Sequence, residues 1–122
     1  MASSRWESKV IKYYNRVDAG DVDWVINLFA EDAVYDRASE VYKDRTAIEQ
    51  FYRSERKIDG RHTLTNVASS NDTVLVDGEF QGCGADGSSK KIGFADCWRF
   101  NEAGKVTSRN TYLAIGSDYV RD

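Results

Sequence analysis

Lys90-Lys-Ile-Gly-Phe-Ala-Asp-Cys-Trp-Arg-Phe100 alternates between two kinds of residue. One set is Ile92, Phe94, Asp96, Trp98 and Phe100; the other is Lys91, Gly93, Ala95, Cys97 and Arg99. Period-two patterning of this kind predicts a β-strand with one face on the core. Asp96 falls in the middle of the apolar set. A carboxylate is costly there unless it is paired or gives way to the neutral acid. A chain that keeps one uses it either in a functional site or in a satisfied structural network.

Working outward from that strand, the same period recurs. Val74, Val76, Gly78 and Phe80 give a core face to a strand over 73–81, and further strands are predicted over 62–69 and 105–114. Ser70-Asn71-Asp72 and Asn101-Glu102-Ala103-Gly104 supply the turns, and Gly82 to Ser89 forms a longer glycine- and serine-rich loop. Upstream the period is helical. Ser4 with Glu7 reads as a capping box before Trp6, Val10, Tyr13 or Tyr14, and Val17, and Gly20 stops the helix. Asp21 caps a second helix carrying Val22, Val25, Ile26 and Phe29. Thr46 with Glu49 reads as a second capping box, opening a helix through about Glu55 with Ile48, Phe51 and Tyr52 inward. Between these helices, 33–37 is a short strand. Either Val34 and Asp36 or Tyr35 and Arg37 face the core.

Helices followed by a run of antiparallel strands read as α+β, with three helices over one face of a curved sheet and a pocket between them. The 122 residues fit one domain, 1–122, and the ordinary balance of 41% hydrophobic and 30% charged residues fits a soluble globular class. The net charge of −3 is spread along the chain without a basic stripe, so no nucleic-acid partner is expected. No apolar run reaches membrane-span length and no signal-peptide core opens the chain, so a cytoplasmic location without membrane association is expected. One histidine and two separated cysteines argue against a zinc site or a disulfide framework.

Several segments carry a resemblance. Asp18-Ala-Gly-Asp-Val-Asp23, Leu28-Phe-Ala-Glu-Asp-Ala33, Ala47-Ile-Glu-Gln-Phe-Tyr52, Phe94-Ala-Asp-Cys-Trp-Arg-Phe100 and Ala103-Gly-Lys-Val106 occur in this order. Together they resemble the nuclear transport factor 2-like superfamily, in particular its ketosteroid isomerase and SnoaL-like cyclase branches. The resemblance spans nearly the whole chain. It implies a conical barrel: three N-terminal helices on a strongly curved, mostly antiparallel sheet enclosing a deep pocket, dimeric through the outer sheet face. Fold alone does not settle activity, since the superfamily includes isomerases, cyclases, dehydratases, epoxide hydrolases and non-catalytic proteins.

The resemblance places Tyr13 at the oxyanion-hole tyrosine of ketosteroid isomerase and Asp96 at its neutral hydrogen-bond donor, a role the isomerase itself exemplifies. A rival role for Asp96 is an ionised partner of His62 or Arg109. The isomerase's base position holds Arg37, with Asp36 beside it, and only a local bulge would turn Asp36 inward. In the limonene epoxide hydrolase branch Tyr35 matches a water-holding tyrosine, but the Arg-x-Asp pair is replaced by Asp77-Gly-Glu79. Neither activity transfers directly.

The only histidine, His62, opens a strand face of His62, Leu64, Asn66 and Ala68. SnoaL-like relatives often place a pocket histidine here, and a histidine beside a carboxylate makes a base near neutral pH. The alternative is a structural or exposed histidine. The resemblance puts His62 and Asp96 on walls of one cavity and turns Arg109 and Thr111 inward, with Tyr112 as a competing core residue. Arg37 or Arg109 would bind a carboxylate or neutralise an enolate. Phe51, Phe80, Phe94 and Trp98, with Tyr35, would form the apolar wall or simply the core. Tyr14 and Trp24 read as core or dimer contacts, and Cys97 should face away.

The expected function is thus a cofactor-free, metal-free enzyme that moves a proton on a hydrophobic carbonyl compound, by isomerisation, aldol cyclisation or dehydration. Its catalytic candidates are Asp96, His62, Tyr13 and Asp36. The alternative is a non-catalytic module that binds an apolar ligand or dimerises a partner. A homodimer is expected in either case.

Overall fold

The computed structural model describes residues 5–37, 40–56, 59–84 and 86–114. Helix α1 runs Glu7–Asp18 and buries Val10, Tyr13, Tyr14 and Val17. Spacings of three and four residues put these side chains on one face. Ser4 of the expected capping box lies outside the described residues, and the first residue before the helix is Trp6, which makes no side-chain cap bond. Gly20 stops the chain at φ +78, a conformation glycine adopts without penalty. Asp21 then caps α2 (Val22–Leu28), accepting from the Trp24 N–H at 3.3 Å.

Strand β1 (Phe29–Arg37) starts four residues earlier than its alternation suggests, because Phe29 is already extended at the end of α2. An unpredicted strand, β2 (Glu40–Lys43), pairs with it antiparallel. Helix α3 (Arg45–Gln50) is capped by Asp44, which accepts from the Ala47 N–H at 2.9 Å. The expected box of Thr46 and Glu49 does not form; Glu49 instead pairs with Arg53 one turn on, at 2.8 Å. A π-helical turn, Phe51–Glu55, follows and buries Phe51 and Tyr52. Such turns widen a helix by one residue and recur at functional sites.

The remaining strands are β3 (Asp59–Ser70), β4 (Thr73–Cys83), β5 (Ser89–Phe100) and β6 (Val106–Leu113). The six strands form one sheet in the order β2-β1-β6-β5-β4-β3. Only β1 and β6 are parallel; every other pair is antiparallel. The fold is thus α+β, three helices on one mostly antiparallel curved sheet. It departs from the expected barrel in one respect: β2 and β3 are edges, and the sheet does not close.

A bulge between Leu64 and Asn66 alters β3. One extra residue flips the following side chains to the other face. Asn66 and Ala68, expected inward with His62, therefore lie on the outer face beside Leu75 and Cys97, while Val67 packs against the core. Gly78 sits across from this bulge, where a β-carbon would collide with the Thr63 carbonyl. The core gathers Val10, Val25, Phe29, Ile48, Val74, Trp98 and Val106 between the helices and the inner sheet face. Fully burying each such side chain contributes roughly 1.5–3 kcal/mol.

Candidate active site

The alternation of β5 presents Phe94, Asp96 and Trp98 to the helices, all buried. From β6, the same geometry turns Arg109 and Thr111 inward and leaves Tyr112 60% exposed, so the competing core reading of Tyr112 does not hold. Between helices and sheet lies a cavity of about 110 Å³. Its polar wall includes Tyr13, Tyr52, His62, Asp96, Arg109 and Thr111. Phe80, Ile92, Phe94 and Leu113 give its apolar wall, and Tyr35, Arg37 and Arg56 complete it.

Asp96 is surrounded by donors. Oδ1 accepts from Arg109 Nε at 3.3 Å and from the Thr111 hydroxyl at 2.5 Å. Oδ2 accepts from Arg109 Nη2 at 2.9 Å and from the Tyr14 hydroxyl. A carboxylate offers about four acceptor sites, and all four are taken. This corrects the expectation of a neutral carboxylic acid donating to substrate: Asp96 is the acceptor in a bidentate ion pair, and no lone pair is left for a substrate proton. The residue that reaches it from α1 is Tyr14, not Tyr13. Tyr14 also accepts from the Trp98 indole N–H at 3.2 Å. Burial, reinforced by Asp96, pushes its phenol well above the usual range, so it stays a donor.

Arg109 is the hub. Beyond Asp96, its Nη1 donates to the hydroxyls of Tyr13 at 2.6 Å and Tyr52 at 2.9 Å. Its guanidinium lies 4.7 Å from the Tyr13 ring centre, 4.6 Å from Tyr35 and 4.3 Å from Trp98. Burial opposes its charge, but Asp96 and the surrounding tyrosines outweigh burial and hold the group firmly protonated. The Tyr13 and Tyr52 hydroxyls are 2.6 Å apart. One donates to the other, so a single phenolic hydrogen of the pair remains, on whichever oxygen accepts. Burial above all keeps the Tyr52 phenol protonated, since its pKa lies well above the usual value.

His62 opens toward the same cavity but has a different partner from the one expected. Its Nδ1 is 2.6 Å from Asp18 Oδ1, and its backbone N–H donates to Asp18 Oδ2 at 2.8 Å. Asp18 ends α1, so the last turn of that helix clamps the start of β3. With Nδ1 engaged, Nε2 is the remaining ring nitrogen, and it has no hydrogen-bond partner among the described residues. Tyr14, Phe80 and Phe94 surround the ring at 4.9–5.3 Å between centres. Burial lowers the His62 pKa below its ordinary value, more than Asp18 raises it. The imidazole is therefore neutral at pH 7, with its Nδ1–H on the carboxylate.

Other candidates are sorted by strand geometry. Tyr35 and Arg37 face the cavity; Asp36, between them, faces away and does not line it. The irregularity in β1 lies between Phe29 and Val34, upstream of Asp36, so it does not turn that side chain inward. Phe80 and Phe94 do form the wall. Phe51 and Trp98 do not: Phe51 packs on Tyr42 at 4.9 Å between ring centres, and Trp98 is wholly buried beneath Arg109. Asp18, Tyr14, Tyr52 and Arg56 were not singled out in the sequence as site residues. A carboxylate at a helix end offered the only signal for Asp18, and its partner lies 44 residues on.

The sequence profile of the SnoaL-like domain family matches residues 10–109. The chain belongs to this family. Solved structures share the fold. An epoxide hydrolase/cyclase-like enzyme, SalBIII, of pyran ring formation in salinomycin is 19% identical over 94% of this chain and 95% of its own, with a TM-score of 0.79. A Mycobacterium tuberculosis LEH-like epoxide hydrolase is 12% identical over 92% and 84%, with a TM-score of 0.80. A ketosteroid isomerase-like protein from Catenulispora acidiphila, solved with trimethylamine, is 18% identical over 88% and 86%, with a TM-score of 0.76. At these identities the likeness extends to the fold alone. No helix among the described residues of this SnoaL-like chain is long and apolar enough to cross a membrane.

Proposed function

We propose that this SnoaL-like protein is an acid–base enzyme that moves a proton next to a carbonyl group, in an isomerisation, cyclisation or dehydration. The observation that carries this reading is the His62–Asp18 pair: a neutral imidazole, fixed at Nδ1, at the wall of a cavity that also holds hydroxyl donors. A base needs a free lone pair, an orienting partner and a pKa near or below the working pH, and His62 combines all three.

In the proposed step His62 Nε2 takes a hydrogen from the carbon beside the carbonyl. The C–H electron pair shifts into the C–C bond and the carbonyl π pair moves to oxygen. The free hydrogen of the Tyr13–Tyr52 pair donates to that oxygen, and Arg109 behind both phenols adds positive potential. Asp18 then faces an imidazolium and steadies it until the proton returns at another atom. Asp96 has no direct part; it holds Arg109 in place. The test is exchange of substrate α-hydrogens with D2O, catalysed by the wild type and lost in His62→Ala.

A non-catalytic ligand-binding module is the second reading. It is favoured by the complete satisfaction of Asp96, which leaves that carboxylate no freedom to react. Absence of exchange together with tight ligand binding would select it.

A further inference from the structure

The phenols of Tyr13, Tyr14, Tyr35 and Tyr52 stand around the Arg109–Asp96 pair, and each carries one hydroxyl hydrogen. Some of these hydrogens are spent within the cluster. Tyr14 gives its own to Asp96 Oδ2. Tyr13 and Tyr52 both accept from Arg109 Nη1 and lie 2.6 Å apart, so one hydrogen of that pair is used between them and one remains.

Tyr35 is placed differently. Among the described residues its hydroxyl meets only that of Thr111, at 3.3 Å. Thr111 owns a single hydroxyl hydrogen and stands 2.5 Å from Asp96 Oδ1. An ion-paired carboxylate only accepts, so the Thr111 hydrogen belongs to Asp96. Thr111 is then left to accept from Tyr35, and 3.3 Å is long against the usual O–H···O range of about 2.5–3.0 Å. The Tyr35 hydrogen is therefore loosely held, on a residue that lines the cavity. Its ring is fixed. The Arg109 guanidinium lies 4.6 Å from the ring centre, Tyr52 stands nearly parallel at 6.5 Å, and Phe51 meets it edge-on at 5.8 Å. Burial raises the Tyr35 pKa above its ordinary value, more than the Arg109 charge lowers it, so the hydroxyl keeps its hydrogen at neutral pH.

We propose that Tyr35 is a second hydrogen donor to the substrate oxygen, which takes one bond from the Tyr13–Tyr52 pair and one from Tyr35. That the oxygen is a carbonyl undergoing enolisation rests on the reading above; the uncommitted Tyr35 hydrogen does not. A carbonyl oxygen has two lone pairs, and both bonds strengthen as negative charge develops on it. The Tyr35 O–H bond does not break in this step. Its hydrogen turns from the long Thr111 contact to a shorter one on the substrate, and the Thr111–Asp96 bond stays in place. Arg109 backs all three phenols and favours charge on the oxygen that they surround.

The test uses 4-nitrophenolate, a flat oxyanion, beside 4-nitroanisole, its neutral twin. Affinities are read by absorbance and NMR titration for the wild type and Tyr35→Phe, with circular dichroism and a thermal melt confirming the fold. Tyr35→Phe should weaken phenolate binding about tenfold or more and leave anisole binding nearly unchanged, because only the oxyanion calls on a charge-assisted donor. On binding phenolate the wild type should gain two far-downfield hydroxyl resonances and Tyr35→Phe one. Equal phenolate binding by both proteins, or equal losses for phenolate and anisole, would overturn the role of Tyr35. So would a single new resonance in the wild type, or no binding of the phenolate in the millimolar range. Exchange of cyclohexanone α-hydrogens in D2O is read separately and should fall about 100-fold in Tyr35→Phe. The expected phenolate results without any exchange by the wild type would keep Tyr35 as the oxygen donor and remove the proton-transfer reading, so the two failures are separable.

Discussion

Asp18 and His62 are joined twice: one carboxylate oxygen meets the ring nitrogen Nδ1 at 2.6 Å and the other accepts from the backbone N–H at 2.8 Å. The pair makes the end of α1 a fixed mount for the imidazole. Asp18→Ala should lower turnover by about tenfold to 100-fold, part of the usual general-base contribution. It should also move the acid limb of the pH–rate profile to lower pH, because Asp18 raises the His62 pKa. A purely structural Asp18 would leave that limb in place.

The wild-type profile should itself carry a histidine acid limb below 6.5. Burial, the larger influence, lowers the His62 pKa in the folded state. Between the folded and ordinary values the unfolded chain binds more protons than the folded one. Stability from this group is therefore full above the ordinary value and is lost as pH falls through the window toward the folded one. Urea denaturation at pH 7 and pH 5 should show the wild type losing more stability than His62→Gln.

The sequence told much about faces and little about partners. The alternation of β5 placed Asp96 inward because one strand fixes its own periodicity. Arg37 against Asp36 was undecidable from pattern, since both sets in β1 mix apolar and charged residues. Tyr13 and Tyr14 are adjacent on a helix and both buried, so spacing does not say which reaches Asp96. The β3 bulge reversed the expected face beyond Leu64 without a sequence mark. Partnerships such as His62 with Asp18, or Arg109 with Tyr52, join residues 44 and 57 positions apart, and local chemistry does not encode them.

Asp96 should prove a structural anchor more than a reacting group. Asp96→Ala leaves the Arg109 charge buried without its counter-ion, which typically costs about 3–5 kcal/mol. Asp96→Asn should be nearly as damaging, since one carboxylate oxygen becomes an NH2 group facing donors. Replacing Arg109 with Met in the Asp96→Ala background should recover part of the loss. A stable, fully active Asp96→Asn would contradict the ion-pair account; chemical denaturation and turnover check both points.

The outer sheet face carries Leu75 and Tyr112, 52% and 60% exposed, beside Ala95 and Cys97. We propose that a second copy covers it. Light scattering at micromolar concentration should give a dimer mass, and Tyr112→Glu together with Leu75→Lys should give a monomer that keeps its circular dichroism. A monomeric wild type would remove this assembly without touching the site.

The most direct measurement is α-hydrogen exchange of a bound carbonyl compound in D2O, followed by proton NMR for the wild type and His62→Ala. The wild type should wash deuterium into the carbon beside the carbonyl, and His62→Ala should do so at least about 100-fold more slowly with its thermal melt preserved. Equal exchange by both proteins would contradict His62 as the base, and no exchange by the wild type on any ligand that binds would contradict the proton-transfer function itself.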